Sequence, residues 1–395
     1  GAHGDAEAAS LPLIQDPAAI LAYLAATVAL VFQLARWPAL RPLFDRLPAL
    51  VWTYFLPMLS TTAGILPATS PLYAGLARYL LPASLVLLLL ASEIKAVARL
   101  GATALLALAA GALGIATGAV VAFVVLRPLL PPDAWKAAGA LTATWIGGSA
   151  NLLAVATTLD LDPGTIIIVD TVVGYSWMGL LIFLANKQEA FDRWTGADRR
   201  SVAAASARLL GVKAAEARPI QVADATLMVG LAVGLSALAL RAGDRLPPVG
   251  EVLRPFSWAI ILVTTAALLL SLTRLARLEA AGASTLGYAG FYLLIASVGA
   301  QGDLRRLADQ PILALFGVVV IAVHAAVLLA AVRLLRAPLF FFGAASQACT
   351  GGVSSAPIVA DIYQPGAASV GLLLAVVGNV AGTYAGLLVA QLLSP

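Results

Sequence analysis

Two pairs of adjacent glycines lie within long apolar stretches of this 395-residue chain, and small polar residues follow each pair. Glycine pairs weaken a helix and expose its backbone groups, while Ser and Asn are common where a helix starts. The pattern therefore predicts that each pair interrupts a helix and that a half-helix begins directly after it. The motif residues are Gly147, Gly148, Ser149 and Asn151 in the first motif, and Gly351, Gly352, Ser354 and Ser355 in the second, where Pro357 follows in the expected first turn.

These motifs could bind a small anionic molecule. The start of a half-helix presents free N–H groups and the positive end of the helix dipole, and both favour an anion. Carbonyl oxygens exposed where a helix unwinds can hold a cation instead. Close helix packing explains a single glycine pair equally well, but two pairs in matching surroundings favour a binding site. We therefore predict that the eight motif residues contact an anionic organic solute.

Asp170 is a second candidate, because it lies about two turns inside the apolar segment 163–186. An ionisable side chain at that depth is costly unless it faces a cavity or a partner. We predict that Asp170, with Thr144, binds a coupling ion, either sodium or a proton. The alternative is that Asp170 caps or braces a neighbouring half-helix. Gln347 and Thr350 precede the second glycine pair and are expected to face the same cavity.

The composition indicates whether these residues lie in water or in a lipid bilayer. Hydrophobic residues make up 61% of the chain and charged residues 11%, against roughly 25% charged residues in soluble domains. Apolar runs of roughly 20 residues, long enough to cross a bilayer, recur along the chain. The sequence therefore predicts an all-α, multi-pass integral membrane protein whose main partner is the lipid bilayer. The bacterial cytoplasmic membrane is the expected location, with a plastid membrane as the alternative.

The charged residues and the single cysteine exclude several other classes of protein. A net charge of +4, without a basic stripe, offers no surface for a nucleic-acid backbone. One cysteine allows no internal disulfide, and two histidines are too few for a metal centre within the membrane. We therefore expect no nucleic acid, no bound metal and no cofactor beyond the coupling ion. The sequence allows a homodimer.

Twelve apolar segments can be distinguished, and all should be helical because lipid offers no hydrogen-bond partner to an open backbone. The chain is predicted to comprise a polar tail (1–16), a first transmembrane repeat (17–186), a cytoplasmic linker (187–221) and a second transmembrane repeat (222–395). The glycine pairs break the fifth and eleventh segments. The segments are 17–35, 48–66, 74–92, 100–126, 134–159 and 163–186 in the first repeat, and 222–240, 252–272, 283–301, 311–332, 338–362 and 366–393 in the second.

Four short words recur in the same order in the two halves, which indicates an internal duplication. Duplicated units in transporters are often inverted, and inversion requires an odd number of crossings in each unit. The matching words are Thr61-Thr62-Ala63 with Thr264-Thr265-Ala266, Glu93-Ile94-Lys95 with Asp303-Leu304-Arg305, Gly147-Gly148 with Gly351-Gly352, and Val172-Val173-Gly174 with Val376-Val377-Gly378.

The lysines and arginines favour an inverted arrangement, because short cytoplasmic loops are enriched in them. If the fifth and eleventh segments enter the membrane and return, each repeat has five crossings and 16 of the 24 basic residues face the cytoplasm. If all twelve segments cross, the better orientation places 14 there. The sequence therefore predicts two inverted repeats with broken or re-entrant helices at segments five and eleven.

This arrangement predicts that both termini lie outside and that the linker around Arg199 and Arg200 is cytoplasmic. Cysteines introduced at positions 5, 200 and 395 can be labelled in intact cells with a reagent that does not cross the membrane. Labelling is expected at positions 5 and 395 only. External labelling of position 200 would contradict the inverted arrangement.

Three stretches resemble one family of membrane proteins: "SPLYAGLARYLLPASLVLLLL", "AWKAAGALTATWIGGSANLLAVATTLDL" and the region of Asp170. They are similar to the YjcL-like family, a domain-of-unknown-function family (819) of polytopic membrane proteins, and the likeness covers nearly the whole chain. The resemblance implies two related halves, similar in plan to sodium-coupled carboxylate and glutamate carriers and to cation/proton antiporters. It does not imply a substrate. Relatives carry Ala-Asp-Asn where this chain has Val169-Asp170-Thr171, so the acid is kept and the amide is not.

The predicted function is secondary active transport of a small, anionic organic solute by alternating access, as a sodium- or proton-coupled symporter. A cation/proton antiporter-like exchanger, an intramembrane enzyme and a passive channel are the alternatives. The sequence contains no GxxxxGK[ST], HExxH or GxSxG motif, so we expect neither ATP-driven transport nor an enzyme. The one histidine in an apolar segment, His324, is expected to be a hydrogen-bonded core residue.

Overall fold

The computed structural model describes residues 12–47, 49–90, 100–197, 218–250, 252–302, 311–365 and 367–395. Two of the predicted matching words, at 93–95 and 303–305, and most of the linker, with Arg199 and Arg200, lie outside these ranges. Fifteen of the helices in these ranges form the framework that positions the candidate site. They are α1 (Pro17–Ala35), α2 (Ala49–Thr62), α3 (Pro71–Leu90), α4 (Ala102–Leu126), α5 (Ala134–Gly147), α6 (Ser149–Thr158), α7 (Gly164–Ala185), α8 (Gln188–Thr195), α9 (Val222–Gly243), α10 (Pro255–Ser271), α11 (Ala283–Gly299), α12 (Ile312–Leu334), α13 (Leu339–Thr350), α14 (Gly352–Tyr363) and α15 (Ala368–Leu393).

Each of the twelve predicted apolar segments contains a helix, so the all-helical prediction is confirmed. Helices begin where the sequence supplies a start signal: Pro17 is the first residue of α1, and the Asp16 carboxylate accepts a hydrogen bond from the Ala19 N–H at 2.9 Å. In the described part of the chain, seven helices are long and apolar enough to cross a membrane. The second, eighth and ninth segments form shorter helices, and the fifth and eleventh are broken.

The described chain forms two compact units, of which the smaller comprises residues within 1–81 and 289–309. Ile20, Leu24 and Tyr73 are fully or almost fully buried in its core. The hydroxyls of Tyr23 and Ser60 are 2.7 Å apart and link α1 to α2. This unit therefore has its own small hydrophobic core between packed helices.

The larger unit comprises residues within 82–288 and 310–395 and contains every candidate site residue. Its helices α4 and α12 touch backbone to backbone, because a Cβ atom built on Gly118 would lie 2.7 Å from the Val320 carbonyl oxygen. Gly114 faces the backbone of His324 in the same way, at 2.9 Å. Small residues that allow such close approach are typical of packed membrane helices.

The two broken segments fold back on themselves as helical hairpins. A Cβ atom built on Gly386 of α15 would lie 2.7 Å from the Gly139 oxygen in α5 and 3.1 Å from a Val155 methyl in α6. In one straight helix Gly139 and Val155 would be about 24 Å apart, so their contact with the same glycine requires that the segment folds back between them. Likewise, a Cβ atom on Gly343 of α13 would lie 2.6 Å from the Tyr363 ring at the end of α14. We call α5 with α6 hairpin 1, and α13 with α14 hairpin 2.

Candidate functional site

The second glycine of each pair provides the turn at the tip of its hairpin. Gly148 has φ +76° and ψ −179°, a region that is essentially restricted to glycine. Gly352 has φ +60°, which is also unfavourable for residues with a Cβ atom. The prediction that the glycine pairs interrupt their helices is confirmed at both positions.

The first glycine of each pair is required by close contact rather than by φ. A Cβ atom on Gly147 would lie 2.6 Å from the Asn151 side-chain carbon Cγ and 2.7 Å from the Gly382 Cα. A Cβ atom on Gly351 would collide with the Gln347 amide and the Ser355 hydroxyl. Each tip is therefore closed by a polar side chain that packs directly on glycine.

The prediction that Ser and Asn cap the half-helices is wrong. The N-cap residues of α6 and α14 are Gly148 and Gly351, and neither makes a side-chain cap hydrogen bond in the described structure. Pro357 lies inside α14 rather than in its first turn. The glycine backbone makes the turn, and the Asn151 and Ser355 side chains make other contacts. Ser149 is the first residue of α6, and Ser354 and Ser355 lie within α14.

Asn151 ties the tip of hairpin 1 to α15. Its Oδ1 accepts hydrogen bonds from the Thr383 N–H at 2.8 Å and from the Thr383 hydroxyl at 2.5 Å. Its Nδ2 donates to the Gly147 carbonyl and, at 3.3 Å, to the Asn379 carbonyl. Protein groups therefore occupy both ends of this buried amide. The sequence predicted a site at Asn151 but offered no signal for its partner in α15.

The tip of hairpin 2 is less complete. The Gln347 Nε2 donates to the Ser355 hydroxyl at 2.6 Å. Gln347 is 2% exposed, and its Oε1 has no hydrogen-bond partner among the described residues. Beside it, no atom of the described chain lies within 4 Å of a Cβ position on Gly352. This tip thus combines a free acceptor with open space.

Asp170 lies between the two hairpins. The Trp145 indole N–H of hairpin 1 donates to its Oδ1 at 2.8 Å, and the Thr144 side chain contacts the same carboxylate. A Cβ atom on Gly174 would lie 3.7 Å from both Asp170 Oδ1 and the Thr350 carbonyl oxygen of hairpin 2. No basic side chain in the described ranges forms an ion pair with Asp170. The structure thus brings Thr144 to Asp170, places the Thr350 carbonyl next to Gly174 in the same helix as Asp170, and adds Trp145, which sequence reasoning missed although it lies two residues before the glycine pair.

Two glycines that match in sequence each face the residue that precedes a glycine pair. Gly174 faces the Thr350 carbonyl, and its sequence match Gly378 faces the Ile146 carbonyl. Ile146 and Thr350 each directly precede a glycine pair. Gly174 of α7 thus lies next to the end of α13, and Gly378 of α15 lies next to the end of α5.

His324 is a core residue with a defined hydrogen-bonding pattern, as predicted. Its Nδ1 lies 2.8 Å from the Gly111 carbonyl oxygen, which can only accept, so Nδ1 carries the proton. Its Nε2 lies 2.8 Å from the Ser346 hydroxyl, which also accepts from the Trp177 indole N–H at 2.8 Å. The hydroxyl proton is thereby directed to Nε2. This pattern favours neutral imidazole and leaves neither ring nitrogen for proton transfer.

The short helix α8 ties down the open end of hairpin 2. The Asp192 carboxylate accepts from the Leu339 N–H at 2.8 Å, and the Gln188 amide donates to the Tyr363 carbonyl at 2.8 Å. Both ends of the hairpin are therefore held by one helix. A cavity of about 330 Å³ lies beside it and is lined by Gln188, Asp192 and Tyr363 and by Glu189 and Gln364 among others.

Comparison with known proteins gives a family and a bacterial relative. A model of the family described as "Protein of unknown function (DUF819)" matches residues 22–395. The chain is similar to the "Uncharacterized membrane protein YjcL" of Bacillus subtilis (strain 168), with 26% identity over 357 residues, which cover 83% of this chain and 86% of the relative. The predicted resemblance is confirmed. Together with the long apolar helices, these matches make the chain a multi-pass membrane protein.

Proposed function

We propose that this chain, which belongs to the DUF819 family of proteins of unknown function, is a secondary transporter that moves a small, anionic organic solute. Alternating access of the site between the two hairpins is coupled to protons or sodium ions. The observation that carries this proposal is the Asp170 carboxylate, which lies between two broken helices and has no basic partner among the described residues.

The surroundings of Asp170 suit a group that gains and loses an ion. Inside a membrane protein, a carboxylate without a basic partner either binds a proton or holds a cation. The Trp145 N–H and the Thr144 side chain can stabilise the negative charge after the ion has left. The Thr350 carbonyl oxygen lies 3.7 Å from the same Cβ position of Gly174 as Asp170 Oδ1 does, and is a candidate second oxygen for a cation. One carboxylate could therefore alternate between loaded and empty states.

The convergence of the hairpin tips supports the solute site. Cβ positions on Gly174 and Gly378 each lie within 4 Å of backbone or side-chain atoms from both hairpins. The tips of hairpins 1 and 2 are therefore neighbours, so the starts of α6 and α14 lie in one region. Such helix starts favour a carboxylate on the solute.

The pair of matching glycine contacts at the two hairpins supports an inverted duplication. Two units related by a two-fold axis make each contact twice: if a residue of the first unit contacts a residue of the second, their sequence matches also contact each other. Gly174 with Thr350 and Gly378 with Ile146 obey this rule. An axis in the membrane plane would present the site to each side in turn, as alternating access requires.

Reconstitution in proteoliposomes tests the proposal. Vesicles with wild-type protein would receive an imposed proton gradient, a sodium gradient or neither, together with small carboxylates, amino acids and amines. We expect accumulation of a carboxylate above equilibrium with one gradient, and loss of that accumulation when an ionophore dissipates it. Ion exchange without solute would favour the antiporter-like alternative, and solute flux that ignores both gradients would favour a passive channel. Absence of any flux would contradict the proposal.

A further inference from the structure

We propose that hairpin 2 recognises the solute through Gln347, which accepts a hydrogen bond from a hydroxyl or ammonium group on it, and that hairpin 1 is a closed anchor. The inference rests on the proposed function and deepens it. It names the substrate class as small carboxylates that also carry a hydrogen-bond donor. The two tips then differ in role although both contain a glycine pair.

Hairpin 1 has no hydrogen-bonding capacity left at its central amide. Asn151 accepts two hydrogen bonds from Thr383 and donates to the carbonyls of Gly147 and Asn379. The Asn379 side-chain oxygen also lies 3.5 Å from the Cβ position of Gly148. A solute could use this amide only by displacing α15.

Hairpin 2 has the opposite character. Gln347 uses its Nε2 to bind Ser355 and leaves its Oε1 buried without a partner in the described ranges. Buried acceptors are rarely left unpaired, because they have lost their hydrogen bonds to water. An acceptor that is held in place but unpaired is suited to a ligand that brings the donor.

The surroundings of Gln347 add space and a complement for negative charge. Gly352 is buried, yet its Cβ position has no described atom within 4 Å. The first N–H groups of α14 lie at the same tip, where the N-cap residue Gly351 has no side chain that could cap them. A ligand there meets N–H groups that suit a carboxylate and an oxygen that suits a donor, so the favoured solute carries both groups.

A pair of double variants tests the difference between the tips. Gln347→Leu with Ser355→Ala removes the amide and its hydroxyl partner, and Asn151→Leu with Thr383→Val is the matched change in hairpin 1. In thermal unfolding of the purified full-length protein, we expect the hairpin 2 variant to unfold at or above the wild-type midpoint. The hairpin 1 variant should unfold roughly 5 °C or more below it. An equal loss in the hairpin 2 variant would make Gln347 structural and overturn the proposal.

Three ligands with one carbon skeleton test the substrate class. Propionate, lactate and alanine differ only in carrying hydrogen, hydroxyl or ammonium beside the carboxylate. We expect lactate or alanine to stabilise the wild type at a concentration at least tenfold lower than propionate, and the Gln347→Leu/Ser355→Ala variant to lose this preference. Equal responses, no response to any of the three, or a preference that survives in the variant would overturn the assignment. Gradient-driven uptake is measured separately, so its persistence would preserve the proposed function if this class is wrong.

Discussion

Replacement of Asp170 by asparagine is expected to reduce gradient-driven uptake to the level of protein-free vesicles while the protein stays folded. Asparagine has the size of aspartate, and its oxygen can still accept from the Trp145 indole N–H. It can neither carry a charge nor exchange a proton, so the coupling ion has no ligand of the required charge. Uptake should be measured in proteoliposomes over a range of pH and sodium concentration, with unfolding midpoints taken on the same samples.

Asp133→Asn is the matched control for this variant. Asp133 lies at the start of hairpin 1, is exposed and makes no cap hydrogen bond, so its replacement should leave uptake at the wild-type level. If uptake by the Asp170→Asn variant still depends on the ion gradient, Asp170 has the alternative role of bracing Trp145. The coupling ion would then need a different site.

Replacement of Gly382 by alanine is expected to destabilise the protein strongly. A Cβ atom there would lie 2.5 Å from the Gly147 Cα and 2.8 Å from the Ala143 carbonyl oxygen. Both are backbone atoms, and Asn151 bonds to Thr383 beside the contact, so α15 cannot move away without breaking the tip of hairpin 1. Overpacking of this kind should cost about 3 kcal/mol or more. Thermal unfolding of the purified protein and its expression yield would both report the loss.

Gly179→Ala provides the comparison for this loss. Gly179 lies in the interior of α7, and its Cβ position has no described atom within 4 Å. Alanine there should be neutral or gain about 0.5–1 kcal/mol, because it is a better helix former. Equal midpoints for the two variants would show that the contact between Gly147 and Gly382 is loose.

Most of the fold could be predicted from the sequence because apolar runs and helix starts are local signals. The bounds of α1 match the predicted segment, and those of α7 (Gly164–Ala185) differ from it by one residue at each end. Gly148 and Gly352 were found because glycine pairs break helices, and Asp170 because an acid is rare in an apolar segment. Local sequence patterns therefore identified the hairpin tips and the acid near them.

The contacts within the site could not be predicted, because they join residues that are far apart in the chain. Asn151 and Thr383 are 232 residues apart, and nothing local marks Thr383 as a partner. Ser149 and Asn151 were expected to cap a helix, a role that local sequence suggests, but Gly148 is the N-cap of α6 and Asn151 binds α15. The different states of the Asn151 and Gln347 amides depend wholly on tertiary packing.

The dependence of hairpin 1 on α15 has a consequence for the order of biogenesis. Ribosomes make hairpin 1 early, but Asn379, Gly382 and Thr383, which close its tip, emerge only with the last helix. Until then the Asn151 amide has only its bond to Gly147 within its own hairpin. The tip of hairpin 1 can therefore close only after α15 has been synthesised, and the open tip is an intermediate of biogenesis. Any factor that shields polar groups during insertion would act on this intermediate.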